Sequence, residues 1–418
     1  MAQIIDLPLP VLRERLAKGA ARSVEVTEAV LKRIASLEEG TAQLAWLDED
    51  YARRVAGSRD AFRGRAKALG ALHGVPVLVD DAFDIARVPM TRGFAALEGA
   101  LSERDSAVAS SLRAAGAQLF AKSAIPALRV GEGDPGAASL VARRCFPLAV
   151  CVDADGGALR SAALSGVFGY RPSAGMVPRT GLLDIAPSLD AVTLLAGELG
   201  NVAALGDVLA TFDAGDARSE PLPKPRLDDA SRTPPPMAPT IGFLTDGREN
   251  ANAAAGELAG LFGERAFKVP LPTLFEEVGP QGERVIKAEG AKCLKPFERR
   301  FTDALPDRIR TFITEGEAIS AVDYLRALDF IPVLRAGMTE IFARCNVAAM
   351  IGPIAGEGGG VSGESLAAFL RLPAVTLPIL EAPDGKPLGV TLIARDGEDA
   401  RLIQTAAWLL QTLNGEDA

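Results

Sequence analysis

A chain of 418 residues, 48% apolar and 24% charged, is long enough to bury a substantial core and has the composition of a globular protein. Its formal net charge of -9, with no block of basic residues to offset it, argues against nucleic acid or an anionic membrane as the main partner, since both reward clustered Lys and Arg. Cys145, Cys151, Cys293 and Cys345 are too few and too irregularly spaced for a disulfide scaffold or a zinc site. They are expected to be reduced thiols in a cytoplasmic protein. The opening "MAQIIDLPLPVLRERLAKG" has neither the basic start nor the apolar run of a targeting segment, and no later charge-free apolar run approaches ~20 residues.

The first clear element is helical. From Ser23, the expected N-cap, "SVEVTEAVLKRIASLEE" places Val26, Val30, Ile34 and Leu37 on one stripe with charges opposite. "LHGVPVLVDDAFD" reads as a strand in which Val75, Val77 and Val79 share a face, with a turn from Asp80-Asp81. "DSAVASSLRAAGAQLFAK" predicts a helix capped by Asp105 or Ser106, a stop at Gly116 and a strand over 118–121. Helices alternating with short apolar strands indicate an α/β sheet covered on both faces.

Between Asp213 and Pro239 the prolines and charges carry no apolar period, which predicts a surface linker. Beyond it, "TIGFLTD" is a strand, helices are expected over 288–304 and 318–334, and "LPAVTLP", "GVTLIA" and a final helix through Leu410 close the chain. The run Gly356 to Gly360 is expected to be a loop, since no Lys-Ser/Thr and helix start follow it as a phosphate cradle requires. There is no internal repeat. The expected organisation is a single domain over 1–418, in which residues 1–212 form an N-terminal portion, 213–239 the linker and 240–418 a C-terminal portion.

"CVDADGGALRSAALSGVFGYRPS" raises the functional question. A strand from Leu148 to Val152 runs into Asp155-Gly156-Gly157 and a small-residue helix, the turn on which a hydrolase mounts a nucleophile, yet the exposed position of that turn holds Ala158. Read together, "LHGVPVLVDDAFDIARVPMTRG", "AGAQLFAKSAIPAL", "DGGALRSAALSGVFGYRPSAGMVPRTG", "EAISAVDYLRAL" and "KPLGVTLIARDGEDARLI" resemble, in order, the segments of the amidase signature family. The resemblance covers nearly the whole chain and implies that family's fold: α/β, with a mixed central sheet flanked by helices on both faces.

Members of the family hydrolyse amides with one serine as nucleophile, a second serine in a cis peptide as relay and a lysine as base. Matched position by position, the lysine's place holds Asp80, followed by Asp81-Ala82. The relay serine's place holds Asp134, followed by Pro135, and the nucleophile's place holds Ala158. Arg160 matches the family arginine. The aspartate that precedes the Gly-Gly turn by two positions is Ala154, with Asp153 or Asp155 as substitutes. His73 and Lys122 match family positions outside the triad, His73 as a structural residue and Lys122 as a structural or surface group.

With no catalytic residue left at any of the three places, the resemblance implies a non-hydrolytic pseudoenzyme that binds a small-molecule ligand or a protein partner. The alternative is an active amidase with relocated machinery, for instance an Asp-activated water. Ser139, Ser161, Ser165 and Cys145 lie near the old nucleophile in sequence, but their segments contain no His or Lys to serve as base. Asp80, Asp81, Asp134, Asp155 and Arg160 are the candidate ligand-binding residues. Two readings of the carboxylates stay open: solvated groups on an opened cleft, or an acidic pocket for an amine, a guanidinium group or a divalent cation. No cofactor and no resident metal is expected, and family habit implies a homodimer.

Overall fold

The computed structural model of the chain describes residues 4–37, 42–65, 68–131, 136–245, 258, 260–354, 361–381 and 385–415. After α1 (Leu9–Lys18), closed by Gly19 in the left-handed region, comes α2 (Ser23–Ala35). Val26, Val30 and Ile34 are buried along the predicted stripe, while Leu37 is only half-buried. Ser23 is the first helical residue of α2 rather than its cap. The carboxylate of Asp60, 37 positions away, accepts the Ser23 amide at 2.7 Å, and it also accepts the Val24 amide. A cap supplied from another helix leaves no local signal.

β1 (Leu44–Leu47) leads to α3 (Glu49–Arg63), whose cap Asp48 accepts the Tyr51 amide. β2 (Val77–Asp80) is buried at every residue instead of on one face, because it pairs in parallel on both edges and is covered above and below. α4 (Ala107–Ala114) is capped by Ser106, not Asp105, and stops at Gly116 with φ +87°. The following strand, β3 (Ala121–Ser123), starts later than predicted. Gln118 forms only a bridge to Pro76, while its side chain accepts from the Thr27 hydroxyl and donates to the Gly74 carbonyl. α5 (Gly136–Ala142) and β4 (Leu148–Asp153) complete this half.

Next come α6 (Gly157–Leu164), β5 (Phe168–Arg171), β6 (Ala191–Ala196) and α7 (Leu199–Leu209). The Pro-rich stretch carries α8 (Leu227–Ala230), with Leu227 buried, and Asp216 pairs with Arg179 at 3.1 Å, so the predicted linker is anchored at two points. β7 (Ile241–Thr245) and β8 (Ala266–Pro270) precede the long helices α9 (Val278–Arg300), α10 (Asp307–Glu317) and α11 (Ala321–Cys345). The helix expected from 318 begins at Ala321, because the Ser320 side chain accepts the Asp323 amide and ends the connection there. β9 (Ala349–Pro353), α12 (Gly363–Leu370), β10 (Ala374–Glu381), β11 (Pro387–Ile393) and α13 (Asp399–Leu413) finish the chain. The glycine run 356–360 lies outside the described residues.

The chain divides into two compact units. The first comprises Met1–Val152, Gly175–Leu183 and Leu194–Lys224, and the second Asp153–Ala174, Asp184–Thr193 and Pro225–Ala418. In the first, the strand order is β1-β3-β2-β4, antiparallel for β1 with β3 and parallel thereafter. In the second it is β5-β10-β11-β9-β7-β8, antiparallel as far as β9 and then parallel. Both are mixed, as the α/β expectation requires. Among the described residues, no helix is long and apolar enough to cross a membrane.

The second unit closes around one carboxylate. Asp399, the first residue of α13, is buried; it accepts from the Tyr170 hydroxyl at 2.6 Å, from the Ser173 amide at 2.9 Å and from the Ser173 hydroxyl. Asp399→Ala would leave those donors buried without an acceptor. It is expected to cost about 3 kcal/mol or more, read as a lower urea midpoint at unchanged slope.

Candidate active site

In the first unit, parallel pairing sets Val79 opposite Lys122 and Asp80 opposite Ser123. The C-terminal end of β2 therefore brings two carboxylates to one lysine. Lys122 has no exposed side chain, which corrects the surface alternative. Its ammonium lies 2.5 Å from Asp81 Oδ1 and donates to the Pro89 carbonyl at 3.3 Å. Burial pushes the Lys122 pKa down, and Asp81 opposes that shift. The second oxygen of Asp81 accepts the hydroxyl of Thr91 at 2.6 Å, and Thr91 Oγ1 accepts the Gly93 amide at 3.3 Å.

Thr91 is half-buried, which makes it the accessible end of a Thr91–Asp81–Lys122 chain. Its loop is held by Arg92, which pairs with Asp84 at 2.6 Å and donates to the Ala82 carbonyl at 2.8 Å. Sequence reasoning missed Thr91. The available signal was a hydroxyl within "MTRG", ten residues after a carboxylate.

Asp80 has a different task. Its Oδ2 accepts the Val152 amide at 2.8 Å and its Oδ1 the Ala82 amide at 3.1 Å, which pins the end of β4 to the end of β2. Burial pushes its pKa up to about 6, against the pull of those amides and of the Arg129 and Lys122 charges. The reading of Asp80 and Asp81 as solvated carboxylates is thus corrected: both are buried, and Asp81 already holds a cation from its own chain. Among the described residues, no three His, Cys, Asp or Glu side chains group as metal ligands. Asp134 lies outside the described residues.

The mounting turn belongs to the second unit. Asp153 holds it from within, while Asp155 Oδ1 accepts the Gly157 amide at 3.0 Å from the exposed side. The buried Asp153 Oδ1 accepts the Gly156 amide at 2.8 Å, and its Oδ2 lies 3.3 Å from the buried Arg171 guanidinium, which also donates to the Leu189 carbonyl. Gly156 has φ +92°, and a Cβ there would stand 2.6 Å from the Glu364 backbone. At Gly157 a Cβ would meet only the Asp155 side chain and the tip of Arg160, so Gly156 is the glycine the packing demands. Ala158 is buried on α6. Asp155 is exposed and Arg160 half-buried, their charges 3.8 Å apart, a pair of small energetic weight. Of the other suspected nucleophiles, Ser139 is engaged by the Gln43 amide at 3.1 Å, and burial pushes the Cys145 thiol up to about 11. His73 is buried beside Phe62, and burial lowers its pKa, in keeping with a structural residue.

Residues 25–132 and 135–255 match the family model described as Amidase. The chain is 29% identical over 476 residues to the A subunit of glutamyl-tRNA(Gln) amidotransferase from Anaeromyxobacter dehalogenans, with 96% of each chain covered. Among solved structures it is similar to a chain of a vestigial protein complex described as revealing the origins of an s-triazine catabolic enzyme (TM-score 0.85, 23% identity, 97% of this chain and 98% of that one). It is also similar to native peptide amidase from Stenotrophomonas maltophilia (TM-score 0.83, 22% identity, 97% and 96%). These two likenesses establish the fold. The amidotransferase relative corrects the expectation of a non-hydrolytic pseudoenzyme: a chain related end to end to a component of an enzyme supports the alternative of relocated machinery.

Asp80 gives this arrangement a pH signature. Between its ordinary pKa of 3.8 and the folded value of about 6, the folded chain keeps a proton that the unfolded chain has released. The fold therefore loses stability as pH rises through that window. Asp80→Asn cannot titrate. Relative to the wild type, it is expected to gain about 2 kcal/mol between about pH 4.5 and about pH 7, measured by urea unfolding at the two values.

Proposed function

The chain belongs to the amidase family, and we propose that it cleaves carboxamide C–N bonds with Thr91 as nucleophile, Asp81 as general base and Lys122 as the positioning residue. The observation that carries this reading is the 2.6 Å hydrogen bond from the Thr91 hydroxyl to a carboxylate whose other oxygen is fixed by a buried ammonium. A hydroxyl in hydrogen-bond reach of a base, with the base oriented by a third group, is the general arrangement of an activated nucleophile.

Asp81 takes the Thr91 proton as Oγ1 attacks the carbonyl carbon, then delivers it to the leaving nitrogen as the C–N bond breaks. An ester on Thr91 remains. Water, giving a proton to the same carboxylate, attacks that ester, and the proton returns to Oγ1 as the carboxylic acid leaves. Lys122 holds Asp81 in place throughout. An Asp80-activated water is the weaker route, because both Asp80 oxygens already accept backbone amides and the group is buried, whereas Thr91 is accessible.

That the amidotransferase relative is named as one subunit supports a protein partner. Four free cysteines support a reducing compartment such as the cytoplasm.

Turnover of small primary amides and esters, followed by ammonia or acid release, tests the relay. Thr91→Val is expected to lower kcat/KM by about a thousandfold or more, while Thr91→Ser stays within about tenfold of the wild type. Wild-type activity surviving in Thr91→Val overturns the assignment, as does the absence of wild-type turnover across the panel.

A further inference from the structure

The helix α11 plays no part in the Thr91 relay, and one face of it is left uncovered. Ala327, Ile331, Leu334 and Met338 bury the inner face, and the Tyr324 hydroxyl donates to Glu289 on α9 at 2.7 Å, so the rotation of the helix is fixed. The outer face carries Val322, Leu325 and Val333, which are 57%, 57% and 55% exposed. No other helix among the described residues exposes more than one large apolar side chain. Single exposed hydrophobic residues are ordinary, whereas three on one helical face call for a partner that covers them.

Spacing and charge define which partner fits. Val322, Arg326, Asp329, Val333 and Ala336 are all exposed and follow one another at intervals of four, three, four and three, the repeat by which one helix packs along another. Among the described residues, Arg326 approaches only Asp323 of its own helix, at 3.8 Å with both side chains more than half exposed, and Asp329 makes no ion pair. Parallel pairing with a second copy would set Arg326 on Arg326 and Asp329 on Asp329. Antiparallel pairing about a twofold axis between Ala327 and Leu328 instead sets Arg326 on Asp329 of the other copy and Val322 on Val333 of the other copy, each twice. Moving the axis to Asp329 would oppose two carboxylates, so the charges select both direction and register. A seam from 322 to 333 is about 17 Å long, short for a permanent dimer, and the association is therefore reversible. We propose that α11 is a self-association surface, on which two copies of this chain pack antiparallel through these four layers.

The test is analytical ultracentrifugation of the full-length chain from micromolar to near-millimolar concentration, with Tm recorded for every variant. The wild type is expected to pass from monomer to dimer over that range. Arg326→Asp and Asp329→Arg each set like charges together in two layers, and each is expected to weaken self-association at least about tenfold at unchanged Tm. Arg326→Asp combined with Asp329→Arg in one chain re-forms both opposite-charge layers and is expected to return the dimer to within about threefold of the wild type. A wild type that stays monomeric throughout overturns the proposal, and that result leaves the surface to a different partner. Single variants that dimerise as tightly as the wild type overturn it too, as does a double exchange that fails to restore the dimer.

Discussion

A lysine ammonium with no exposure to water can stay charged only against a carboxylate, and Asp81 meets Lys122 at 2.5 Å. Removing either partner would strand the other charge, at a cost of about 3–5 kcal/mol. Stability alone does not explain why the pair is kept, since well-packed apolar residues of similar volume often serve a core equally well. What the pair adds is a fixed carboxylate with one oxygen turned to Thr91. The neighbouring loop then follows: Arg92, Asp84 and Ser102 tie it down so that the Thr91 hydroxyl stays in reach.

The two units keep their family architecture by different means. In the first, Asp80 holds the ends of β2 and β4 together through backbone amides, a task that a lysine in the same place could not perform because an ammonium accepts no hydrogen bond. In the second, Asp153 and Arg171 hold the turn in front of α6, and Gly156 lets the backbone of α12 approach. A serine at Ala158 would add nothing to either arrangement. The turn has a packing role of its own, which is why it stands here without a nucleophile to present.

Much of the fold was legible because it rests on local pattern. β4, β7, β10 and β11 fall where apolar runs and turn residues place them, and α2 buries the side chains its period selects. The site was legible only in part. Asp80 and Asp81 could be singled out because they stand in the place of a known lysine and its neighbour. Their burial depends on parallel pairing with β3, which brings Lys122 from far along the chain. The Asp60 cap of α2, the Thr27–Gln118 side-chain bond and the Thr91–Asp81 contact share that character: each is a tertiary partner that no window of local sequence identifies. The pseudoenzyme expectation fell to the end-to-end amidotransferase relative, because a lost triad says nothing about what other hydroxyls a fold brings to a base.

The most direct test is to trap the acyl-enzyme. Exposure of the protein to an activated ester or a fluorophosphonate, followed by peptide mapping by mass spectrometry, should give a single adduct on Thr91 that disappears in Lys122→Met. An adduct at Ser139 or Ser161, or no adduct at all, would contradict the relay.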